Sequence, residues 1–481
     1  MLEALKVVTA QEMARIEKGL KGHEQFMESA GKKIAEAAIA FVEREGLPKK
    51  VTLLVGRGNN GGDAYAAGIC LLDQGFKVHA YVITGECSEL NRKFGARFQK
   101  KKGKVERKIE GVILDGLLGT GFRGGVDEEM AHAIREANGS GLPIIAIDIP
   151  SGLNGTTGEV GGIAIVANET VALGLPKIGF FLRDGWNHVG KLRVVDFGLP
   201  KEAIDRAEAV AFLPGDLRLP KIVRNRHKYT AGYVVGFGGS KALSGAVKLT
   251  GLAALKAGAG IVRIFHPEEI GEAPYDLICN DWDELKWDEA LKKAKAVFVG
   301  PGLGKSKHTL EWMKTQLKKI DLPCVIDADA LLPNLEFPKQ AILTPHRGEV
   351  LRLLGLKTAP KEEELFAKVA QFCNNHQVIV LLKGGPSFVF TPKQKPIVIL
   401  RGDPGMAKAG VGDVLTGMIA ALLAQGCSPI DAAVLGATLH GIAGEEAAEE
   451  LTSYCMMATD LIEFMPIAFS HLKGKWKFIR I

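Results

Sequence analysis

The feature that most constrains this chain is the repeated alternation of short β-branched, apolar segments with helical patterns and glycine turns. Val51–Val55 is typical of the apolar segments, and it runs into a glycine-rich stretch that precedes a helical pattern over Asp63–Leu72. Apolar strands that alternate with helices are typical of a mainly parallel sheet covered on both faces. The pattern therefore predicts an α/β protein.

Two such series follow one another along the 481 residues, a length that favours two or three domains. The first series starts with a helical pattern over residues 11–44, and its predicted strands are Val51–Val55, Lys77–Ile83, Val112–Leu114, Ile144–Ile149 and Glu169–Leu173. The predicted strands of the second series are Tyr233–Gly236, Ile261–Phe265, Ala296–Val299, Cys324–Ile326, Gln340–Leu343 and Val378–Leu382. Its predicted helices include Gly245–Ala257 and Lys361–Asn374. A proline-containing segment, Leu199–Arg224, separates the series, so we predict one domain over residues 1–210 and another over residues 217–481.

Composition argues against several classes of protein. The net charge of +6 is small for this length and its densest run, Lys100–Lys102, is local, so no nucleic-acid partner is expected. The seven cysteines lack C-x-x-C spacing, which is typical of reduced thiols rather than of disulfides or a zinc site. No apolar run approaches the roughly 18 residues of a membrane span, and the N-terminus does not resemble a signal peptide. We expect a cytoplasmic protein without a membrane partner.

The first glycine-rich stretch suits a ligand that carries phosphate. Residues 56–63, GRGNNGGD, fit G-x-G-x-x-G between a strand and a helix, where backbone N–H groups and the helix N-terminus favour an anion. Glu86 lies near the position of a ribose-binding acid, so a dinucleotide-dependent dehydrogenase is one interpretation, and a glycine turn without a ligand is another. Neither explains the polar Asn59-Asn60 pair and Asp63, which indicate a coordinated ligand or ion.

Two further loops follow predicted strands of the same sheet. One is residues 115–125, DGLLGTGFRGG, and the other is residues 148–153, DIPSGL. Ligands of open parallel sheets bind at the carboxyl ends of the strands. All three loops are therefore expected to meet at one site, although Asp115 as an N-cap and Ser151 as a turn residue are simpler interpretations of each loop alone.

These motifs, NNGGD, LDGLLGTGFRGG and IDIPSGL, together with VALGLPKIGFF and GKLRVVDFGLP, resemble the NAD(P)H-hydrate epimerase family over roughly residues 9–200. The resemblance implies a Rossmann-like, three-layer αβα domain in which Asp148 is catalytic. It also implies a potassium ion on Asn60, Asp115 and Ser151, whose oxygen atoms suit a hard cation. The implied substrate-binding residues are Asn59, Asn60, Gly61, Gly62, Asp63, Gly119, Thr120, Gly121, Phe122, Arg123, Gly124, Gly125 and Asp148. The chain departs from the family pattern at Ala64-Tyr65 and at Asn154, where we expect altered packing around the phosphates.

The sharpest motif of the second half is residues 405–417, GMAKAGVGDVLTG, a glycine loop that opens an apolar helix reaching about Ala424. The N–H groups of Gly410–Gly412 at this helix start can form an anion hole for a phosphoryl group. Asp413 in the first turn is placed to take a proton from a hydroxyl that attacks phosphorus, although a simple capping role is the alternative. A G-x-G-D helix start resembles the ribokinase-like fold.

Other segments occur in a specific order: GGS at 238–240, SGA at 244–246, AGAG at 257–260, VGPGLG at 299–304, DADAL at 327–331, TPHRGE at 344–349 and LKGG at 382–385. The series resembles the ADP/ATP-dependent NAD(P)H-hydrate dehydratase family over roughly residues 222–470, with Tyr229-Thr230 as a departure. The resemblance implies that the hydrated nicotinamide contacts Ala246, Gly302 or Gly304, His346 and Asp413. The implied nucleotide-binding residues are Lys383, Gly384, Gly385, Pro386, Ser387 and Gly412.

The two resemblances imply a bifunctional enzyme that repairs hydrated nicotinamide dinucleotides, NADHX and NADPHX. The first domain would interconvert the R and S epimers at the hydroxyl-bearing ring carbon. The second would phosphorylate that hydroxyl on one epimer, with ADP or ATP and Mg²⁺, and release phosphate to restore NADH or NADPH. The resemblance also implies a homo-oligomer.

Three alternatives explain fewer of the motifs. A vitamin or sugar kinase accounts for Gly410–Asp413 but not for the first domain. A dehydrogenase accounts for residues 56–61 but not for Asp413. A non-enzymatic scaffold, as in an mRNA-decapping protein with an epimerase-like fold, predicts the loss of acids that this chain retains at Asp63, Asp115 and Asp148.

Overall fold

The computed structural model describes residues 4–472, which form two compact units. The N-terminal unit comprises Leu5–Ala211, and the C-terminal unit begins at Phe212. No helix in the described part of the chain is long and apolar enough to cross a membrane.

The strands of the N-terminal unit are β1 (Leu5–Val7), β2 (Lys50–Val55), β3 (Lys77–Val82), β4 (Lys104–Val105), β5 (Val112–Gly116), β6 (Ile144–Ile147), β7 (Glu169–Leu173) and β8 (Lys191–Val195). Its helices are α1 (Ala10–Lys18), α2 (His23–Arg44), α3 (Asn59–Asp73), α4 (Glu89–Lys100), α5 (Glu128–Gly139), α6 (Gly185–Val189) and α7 (Lys201–Arg206). A seven-stranded, wholly parallel sheet has the order β4-β3-β2-β5-β6-β7-β8. The predicted α/β class and the five predicted strands of this half are confirmed.

Successive residues of β2 point to opposite faces of this sheet, and each face is covered. Leu53 belongs to an apolar cluster with residues of α2, α3 and α4, whereas Leu54 belongs to a second cluster with residues of α5. The sheet is therefore the middle of three layers, because a fully apolar strand buries both of its faces.

Two helix boundaries differ from the sequence prediction. The helical pattern over residues 11–44 is two helices, because Gly22 adopts a left-handed φ of 87° between them. Helix α3 begins at Asn59 rather than at Asp63, so the NNGGD motif is the first turn of a helix and not a loop. Gly61 and Gly62 have low helix propensity, so the sequence pattern does not predict a helix that starts before them. Close packing nevertheless requires glycine at both positions. A Cβ atom on Gly61 would stand 2.2 Å from the carbonyl oxygen of Gly56.

The strands of the C-terminal unit are β9 (Ala211–Leu213), β10 (Tyr233–Phe237), β11 (Ile261–His266), β12 (Ile278–Asp281), β13 (Ala296–Val299), β14 (Cys324–Ile326), β15 (Ile342–Leu343), β16 (Ile379–Leu382), β17 (Ser387–Phe390) and β18 (Ile397–Ile399). Its helices are α8 (Ser244–Lys256), α9 (Glu284–Leu291), α10 (Lys307–Gln316), α11 (Arg347–Leu353), α12 (Glu362–His376), α13 (Val411–Ala424), α14 (Pro429–Cys455) and α15 (Ala458–Leu472).

The sheet of this unit runs in the order β9-β18-β17-β16-β15-β14-β13-β10-β11-β12. It is parallel except at β17, which pairs antiparallel with β16 and with β18. All six predicted strands are present, whereas the short strands β9, β12, β17 and β18 were not predicted. Runs of three or four residues show little periodicity, so they are easily missed. Helices α8, α13, α14 and α15 share one apolar cluster. On the opposite face, Trp312 of α10 packs against Phe237 with ring centroids 4.8 Å apart.

Helix α13, which carries the GVGD motif at its start, is packed closely against α8. A Cβ atom on Gly417 would stand 2.1 Å from the carbonyl oxygen of Thr250 and 2.9 Å from Cβ of Ala253. A backbone carbonyl oxygen cannot move aside in the way that the end of a flexible side chain can. The glycine therefore sets the distance between the two helices and fixes the position of the α13 N-terminus.

We expect Gly417→Ala to lower the free energy of unfolding by about 1–3 kcal/mol, the usual cost of overpacking. Gly245→Ala in α8 is the matched control, because nothing lies within 4 Å of a Cβ atom there. Alanine has a higher helix propensity than glycine, so in the control the free energy of unfolding should stay the same or rise by up to about 1 kcal/mol. Denaturant unfolding of both variants measures the difference, and equal effects would contradict the packing argument.

Candidate functional site

The carboxyl ends of the neighbouring strands β2, β5 and β6 open onto a cavity of about 1260 Å³ in the N-terminal unit. Its walls come from α1, from the first turn of α3, and from the segments that follow β5 and β6. The predicted site residues that line it are Asn59, Asn60, Asp63, Gly119, Thr120, Gly121, Phe122, Arg123, Gly125 and Asp148. Three segments separated in sequence, one helix start and two loops, therefore do meet at one place, as expected at the carboxyl ends of parallel strands.

Gly61, Gly62 and Gly124 are not among the lining residues. A Cβ atom on Gly62 would stand 2.7 Å from Sδ of Met27, so this glycine, like Gly61, serves the packing of α3. Gly124 has open space around it, but its left-handed φ of 79° favours glycine. This glycine is therefore required by the turn and not by packing.

The three predicted potassium ligands, Asn60, Asp115 and Ser151, lie close together. Asn60 lines the cavity, whereas Asp115 and Ser151 are buried and are not among its lining residues. The Asp115 carboxylate is fully buried and accepts hydrogen bonds from Ser151 Oγ at 2.6 Å and from Ser151 N at 2.8 Å. Asn60 Nδ2 donates to the carbonyl oxygens of Leu118 at 2.7 Å and of Ile147 at 3.2 Å. Burial raises the pKa of Asp115 to about 6, while the bonds from Ser151 act in the opposite direction. The side-chain amide of Asn60 is thereby fixed by the backbone, and its oxygen is left for another partner.

Asp148 stands directly after β6 with a left-handed φ of 65°, which is unusual for a residue other than glycine. Its carboxylate forms an ion pair with the ammonium group of Lys177, which is fully buried, and accepts a bond from the amide of Leu173 at 3.2 Å. Lys177 also donates to the Leu173 carbonyl at 3.0 Å. Backbone strain that persists beside a buried ion pair makes this position a candidate for function.

Two more carboxylates, Glu17 and Asp63, line the same cavity. Burial, and then the negative charge of Asp148, raise the pKa of Glu17 to about 7, against the effect of Lys177. Burial, and then the charges of Glu17 and Asp148, raise the pKa of Asp63 well above its usual range. The site therefore gathers three acids around one lysine, so protons are easily held and exchanged there.

The residues that depart from the epimerase pattern lie outside this constellation. The ring of Tyr65 is buried against Phe98, with centroids 5.4 Å apart. Asn154 Oδ1 accepts hydrogen bonds from the amides of Thr156 at 2.9 Å and Thr157 at 3.1 Å, which closes a local turn. Both departures therefore affect packing and turn geometry rather than the acids of the site.

The second site lies in the C-terminal unit, at the start of α13. Gly410 is the N-cap of this helix with a left-handed φ of 87°, and Asp413 stands in the first turn. The first amides of a helix have no acceptor within it, so they are available to an anion. A Cβ atom on Gly412 would stand 3.1 Å from Nζ of Lys383, so this ammonium group lies beside the helix start.

Asp327, which follows β14, links these groups. Its Oδ1 accepts a bond from Lys383 Nζ at 2.9 Å, and its Oδ2 accepts one from Thr416 Oγ1 at 2.8 Å. Burial, and then the charge of Asp327, raise the pKa of Asp413 to about 7, while Lys383 opposes this shift. Asp413 is therefore placed to exchange a proton near neutral pH.

The other predicted residues of this site connect to the same cluster. A Cβ atom on Gly302 would stand 2.2 Å from the carbonyl oxygen of Leu243, which also accepts a bond from the Ala246 amide at 3.3 Å. The Gly304 amide donates to Asp329 Oδ2 at 3.0 Å. The predicted substrate residues Ala246, Gly302 and Gly304 thus lie in segments that contact one another.

The side chain of His346 caps the start of a helix. This residue is the N-cap of α11, and its Nδ1 accepts bonds from the amides of Gly348 at 3.0 Å and Glu349 at 3.4 Å. Its side chain remains 60% exposed, and its backbone bridges to that of Lys383. The cap fixes the ring beside the Lys383 segment, and its Nε2 lies 3.5 Å from Oε2 of Glu349.

The predicted nucleotide segment, residues 383–387, connects β16 to β17. It contains a cis peptide bond between Gly385 and Pro386, and the Gly384 amide donates to Ser387 Oγ at 3.2 Å. Lys383 thus belongs both to this hairpin and to the acidic cluster at α13.

Four candidate functional residues were not predicted from the sequence. Lys177 is one polar residue within the quoted VALGLPKIGFF segment, and its isolation among apolar neighbours was the available signal. Asp327 lies in the quoted DADAL segment without an assigned role, and Glu17 and Thr416 resemble ordinary helix residues. Only the fold shows that these four side chains meet the predicted ones.

Both halves of the chain match families of known proteins. Residues 23–179 match the model of the YjeF-related protein N-terminus, and residues 234–467 match that of NAD(P)H-hydrate dehydratase. A bifunctional NAD(P)H-hydrate repair enzyme of Moorella thermoacetica is 32% identical over 97% of this chain and 97% of its own length. The chain belongs to this family. Similar repair enzymes occur in Coxiella burnetii, at 34% identity over 96% of each chain, and in Escherichia coli, at 32% identity over 85% of this chain and 83% of its own.

Solved structures resemble the C-terminal unit of this repair enzyme. A Bacillus subtilis ADP/ATP-dependent NAD(P)H-hydrate dehydratase is 25% identical, covering 53% of this chain and 95% of its own, with a TM-score of 0.47. A ribokinase-like superfamily protein of Enterococcus faecalis is 24% identical, covering 53% and 92%, with a TM-score of 0.47.

The buried ion pair between Lys177 and Asp148 generates a stability prediction for the N-terminal unit. Lys177→Met leaves the Asp148 carboxylate buried without its partner, which costs about 3–5 kcal/mol of unfolding free energy. The double variant Lys177→Met/Asp148→Asn removes both charges and should regain much of that loss. Lys33→Met, which removes the surface pair with Glu36, is the control and should cost at most about 1 kcal/mol.

Denaturant unfolding of the native protein, Lys177→Met, Asp148→Asn and the double variant gives the coupling between the two residues, with Lys33→Met measured alongside as the control. Similar losses in Lys177→Met and Lys33→Met, or no recovery in the double variant, would contradict the buried pairing.

Proposed function

We propose that the two units of this repair enzyme divide its two reactions, with epimerisation of NAD(P)HX in the N-terminal cavity and dehydration of the S epimer at the start of α13. The segments that match the two family models fall on opposite sides of the boundary between the units. The observation that carries the dehydratase assignment is Asp413 beside Lys383 at the N-terminus of α13, because phosphoryl transfer needs a base for the attacking hydroxyl and positive groups for the phosphoryl oxygens.

In the N-terminal cavity, Asp148 acts at the hydroxyl-bearing carbon of the nicotinamide ring. That carbon is a hemiaminal, so its configuration is lost when the ring opens and is set again when the ring closes. Asn59, Asp63 and the residues from Gly119 to Gly125 hold the substrate, with the phosphates at the first turn of α3. Lys177 keeps the carboxylate of Asp148 in place through their ion pair.

In the C-terminal unit, Asp413 takes the proton of the substrate hydroxyl as its oxygen attacks the terminal phosphorus of the nucleotide. The amide of Gly412 and the ammonium group of Lys383 stabilise the charge that develops on the phosphoryl oxygens. The phosphate ester then leaves with the electron pair of its carbon–oxygen bond, and loss of a proton from the adjacent ring carbon restores the dihydronicotinamide. The co-substrate is ADP or ATP bound with Mg²⁺, and residues 383–387 bind it.

We propose that a potassium ion binds at Asn60, Asp115 and Ser151. Support comes from the donor set, which joins one buried carboxylate to a neutral amide oxygen and a hydroxyl without sulfur or imidazole. Asp115 has no lysine or arginine partner among residues 4–472, and this leaves its charge to a cation. Within the same residues, no group of three or more His, Cys, Asp or Glu could hold a transition metal. A potassium ion there would fix the loop that carries Ser151 next to Asp148.

A cytoplasmic location is consistent with the seven cysteines, all of which are free. Assembly into a homo-oligomer stays a prediction of the family resemblance.

Two variants separate the proposed reactions in the full-length protein. Asp413→Ala should lower NADH recovery from NADHX and ADP by roughly 10²–10⁴-fold, the range for loss of a general base, while epimer exchange continues. Asp148→Asn should keep the initial rate of NADH recovery but stall when the accepted epimer is exhausted. Because Asp413 must be ionised to act and its pKa is raised to about 7, recovery by the native protein should rise as the pH rises through that value.

NADH absorbance against time measures recovery, and chromatography of the epimers measures exchange. Normal recovery in Asp413→Ala, or complete single-phase recovery in Asp148→Asn, would refute the assignment of that residue.

The potassium proposal predicts an ion dependence of the first reaction. Epimer exchange should be faster in KCl than in LiCl of equal ionic strength, because the larger ion fits ligands spread over three segments. Asp115→Asn, which removes the only charge of the donor set, should be slow in both salts. Equal exchange rates of the native protein in both salts, with no ion density in a crystal grown from KCl, would remove this proposal.

A further inference from the structure

Helix α1 carries two acids with opposite surroundings. The Glu12 carboxylate accepts bonds from Arg15 at 2.6 and 2.7 Å and from the amide of Glu208 at 2.8 Å, and the bond from Arg15 is the main cause that lowers the pKa of Glu12 to about 2. Glu17 lines the cavity, and its carboxylate has no hydrogen-bond or salt-bridge partner among residues 4–472. Only Glu17, one and a half turns further along the helix, therefore remains free for a ligand.

A half-buried carboxylate without a counter-charge or a hydrogen-bond donor lowers stability, since its partial desolvation is not compensated. The apolar residues Met13 and Ile16 hold α1 in the core of the unit, which fixes the place on the cavity wall from which Glu17 extends. Such a group in a ligand-sized cavity is a candidate for function. Glu17 also lies outside residues 23–179, the segment matched by the family model, and outside every glycine motif.

Two of the carboxylates that line the cavity, Asp148 and Glu17, differ in charge environment. Asp148 is paired with the ammonium group of Lys177. Glu17 has no such partner, and burial with the nearby charge of Asp148 raises its pKa to about 7. It therefore holds a proton over much of the neutral range and can give it up.

We propose that Glu17 is a further catalytic residue of epimerisation, the proton donor that works opposite Asp148. This inference rests on the proposed epimerase site in the N-terminal cavity. It deepens that proposal because Asp148 alone supplies one proton-transfer group, whereas opening a hemiaminal ring requires a group that takes a proton and one that gives a proton.

The step balances without an oxidant or reductant. Asp148 takes the proton of the ring hydroxyl as the bond between that carbon and the ring nitrogen breaks, and the bond's electron pair moves to nitrogen, which takes the proton of Glu17. The product is an open-chain aldehyde with a secondary enamine nitrogen. After rotation, the nitrogen attacks the other face of the aldehyde and loses its proton to Glu17, while Asp148 returns its proton to oxygen.

The pH dependence of this step is set by the groups that face Glu17. These are Asp148 and Lys177 after β6 and β7, Asp63 on α3, and Arg15, Lys18 and His23, which line the same cavity. Because Glu17 acts as the acid, the rate of ring opening should fall as the pH rises through about 7.

The test uses the full-length protein without nucleotide, a single purified epimer of NADHX, and chromatographic separation of the epimers with the spontaneous rate subtracted. Glu17→Gln should lower kcat for exchange by roughly 10²–10⁴-fold and abolish the loss of rate above pH 7. NADH recovery from the epimer accepted by the dehydratase should not change. Glu17→Asp, which keeps the acid on a shorter chain, should restore part of the rate. Glu43→Gln is the control, because it makes the same change on the exposed face of α2 and should leave exchange unchanged.

Exchange within threefold of the native rate in Glu17→Gln overturns the inference, as does a rise in KM alone with the pH profile intact. Asp148→Asn, measured in parallel, distinguishes a failure of the proposed epimerase site from a failure of the proposed role of Glu17. If Asp148→Asn keeps its exchange rate, the proposed site itself is wrong; if only Glu17→Gln keeps it, the site stands and this role of Glu17 fails. Because Glu17 has no partner to lose, Glu17→Gln should unfold no earlier than the native protein, and a lower melting temperature would count against the unpartnered state.

Discussion

In both units, the parallel hydrogen-bond ladder decides where polar side chains can stand. Parallel strands buried on both faces leave no room for charge along their length, so charged groups collect at the carboxyl ends, where the chain turns into loops and helix starts. Asp115 is the penultimate residue of β5, Asp148 follows β6, and Asp327 follows β14. The alignment of strand ends therefore brings together acids that are far apart in the sequence, and every feature of the two sites is built on that alignment.

The same arrangement explains the electrostatics of the two sites. Each gathers several carboxylates around one lysine that is largely removed from water, Lys177 in the first and Lys383 in the second. One acid in each site is paired with the lysine, and another is left with a pKa raised to about 7. The two units thus share one arrangement of charges. In each, a buried ion pair stands beside an acid that exchanges protons near neutral pH.

The sequence predicts the fold class and the longer strands because runs such as Val51–Val55 are apolar without interruption. It also predicts most residues that line the first cavity, because glycine and acid motifs occur at strand ends. It does not predict Lys177, because the burial of that lysine depends on Asp148, 29 residues away, and local pattern carries no such information. Glu17 escapes for a related reason, since an acid on an amphipathic helix resembles any solvated residue until the fold shows what it faces.

The early start of α3 has a consequence for the speed of binding. Asn59 and Asn60 stand in a formed helical turn, and bonds from Asn60 to two carbonyls hold the second of them in place. A ligand that meets groups already in position spends little of its interaction energy on ordering them. The opposite wall, from Gly121 to Gly125, is mostly exposed and lacks regular secondary structure apart from turns and bends. A dinucleotide bound as proposed would therefore meet groups of α3 that are already ordered, whereas the segment from Gly121 to Gly125 would have to be ordered around it.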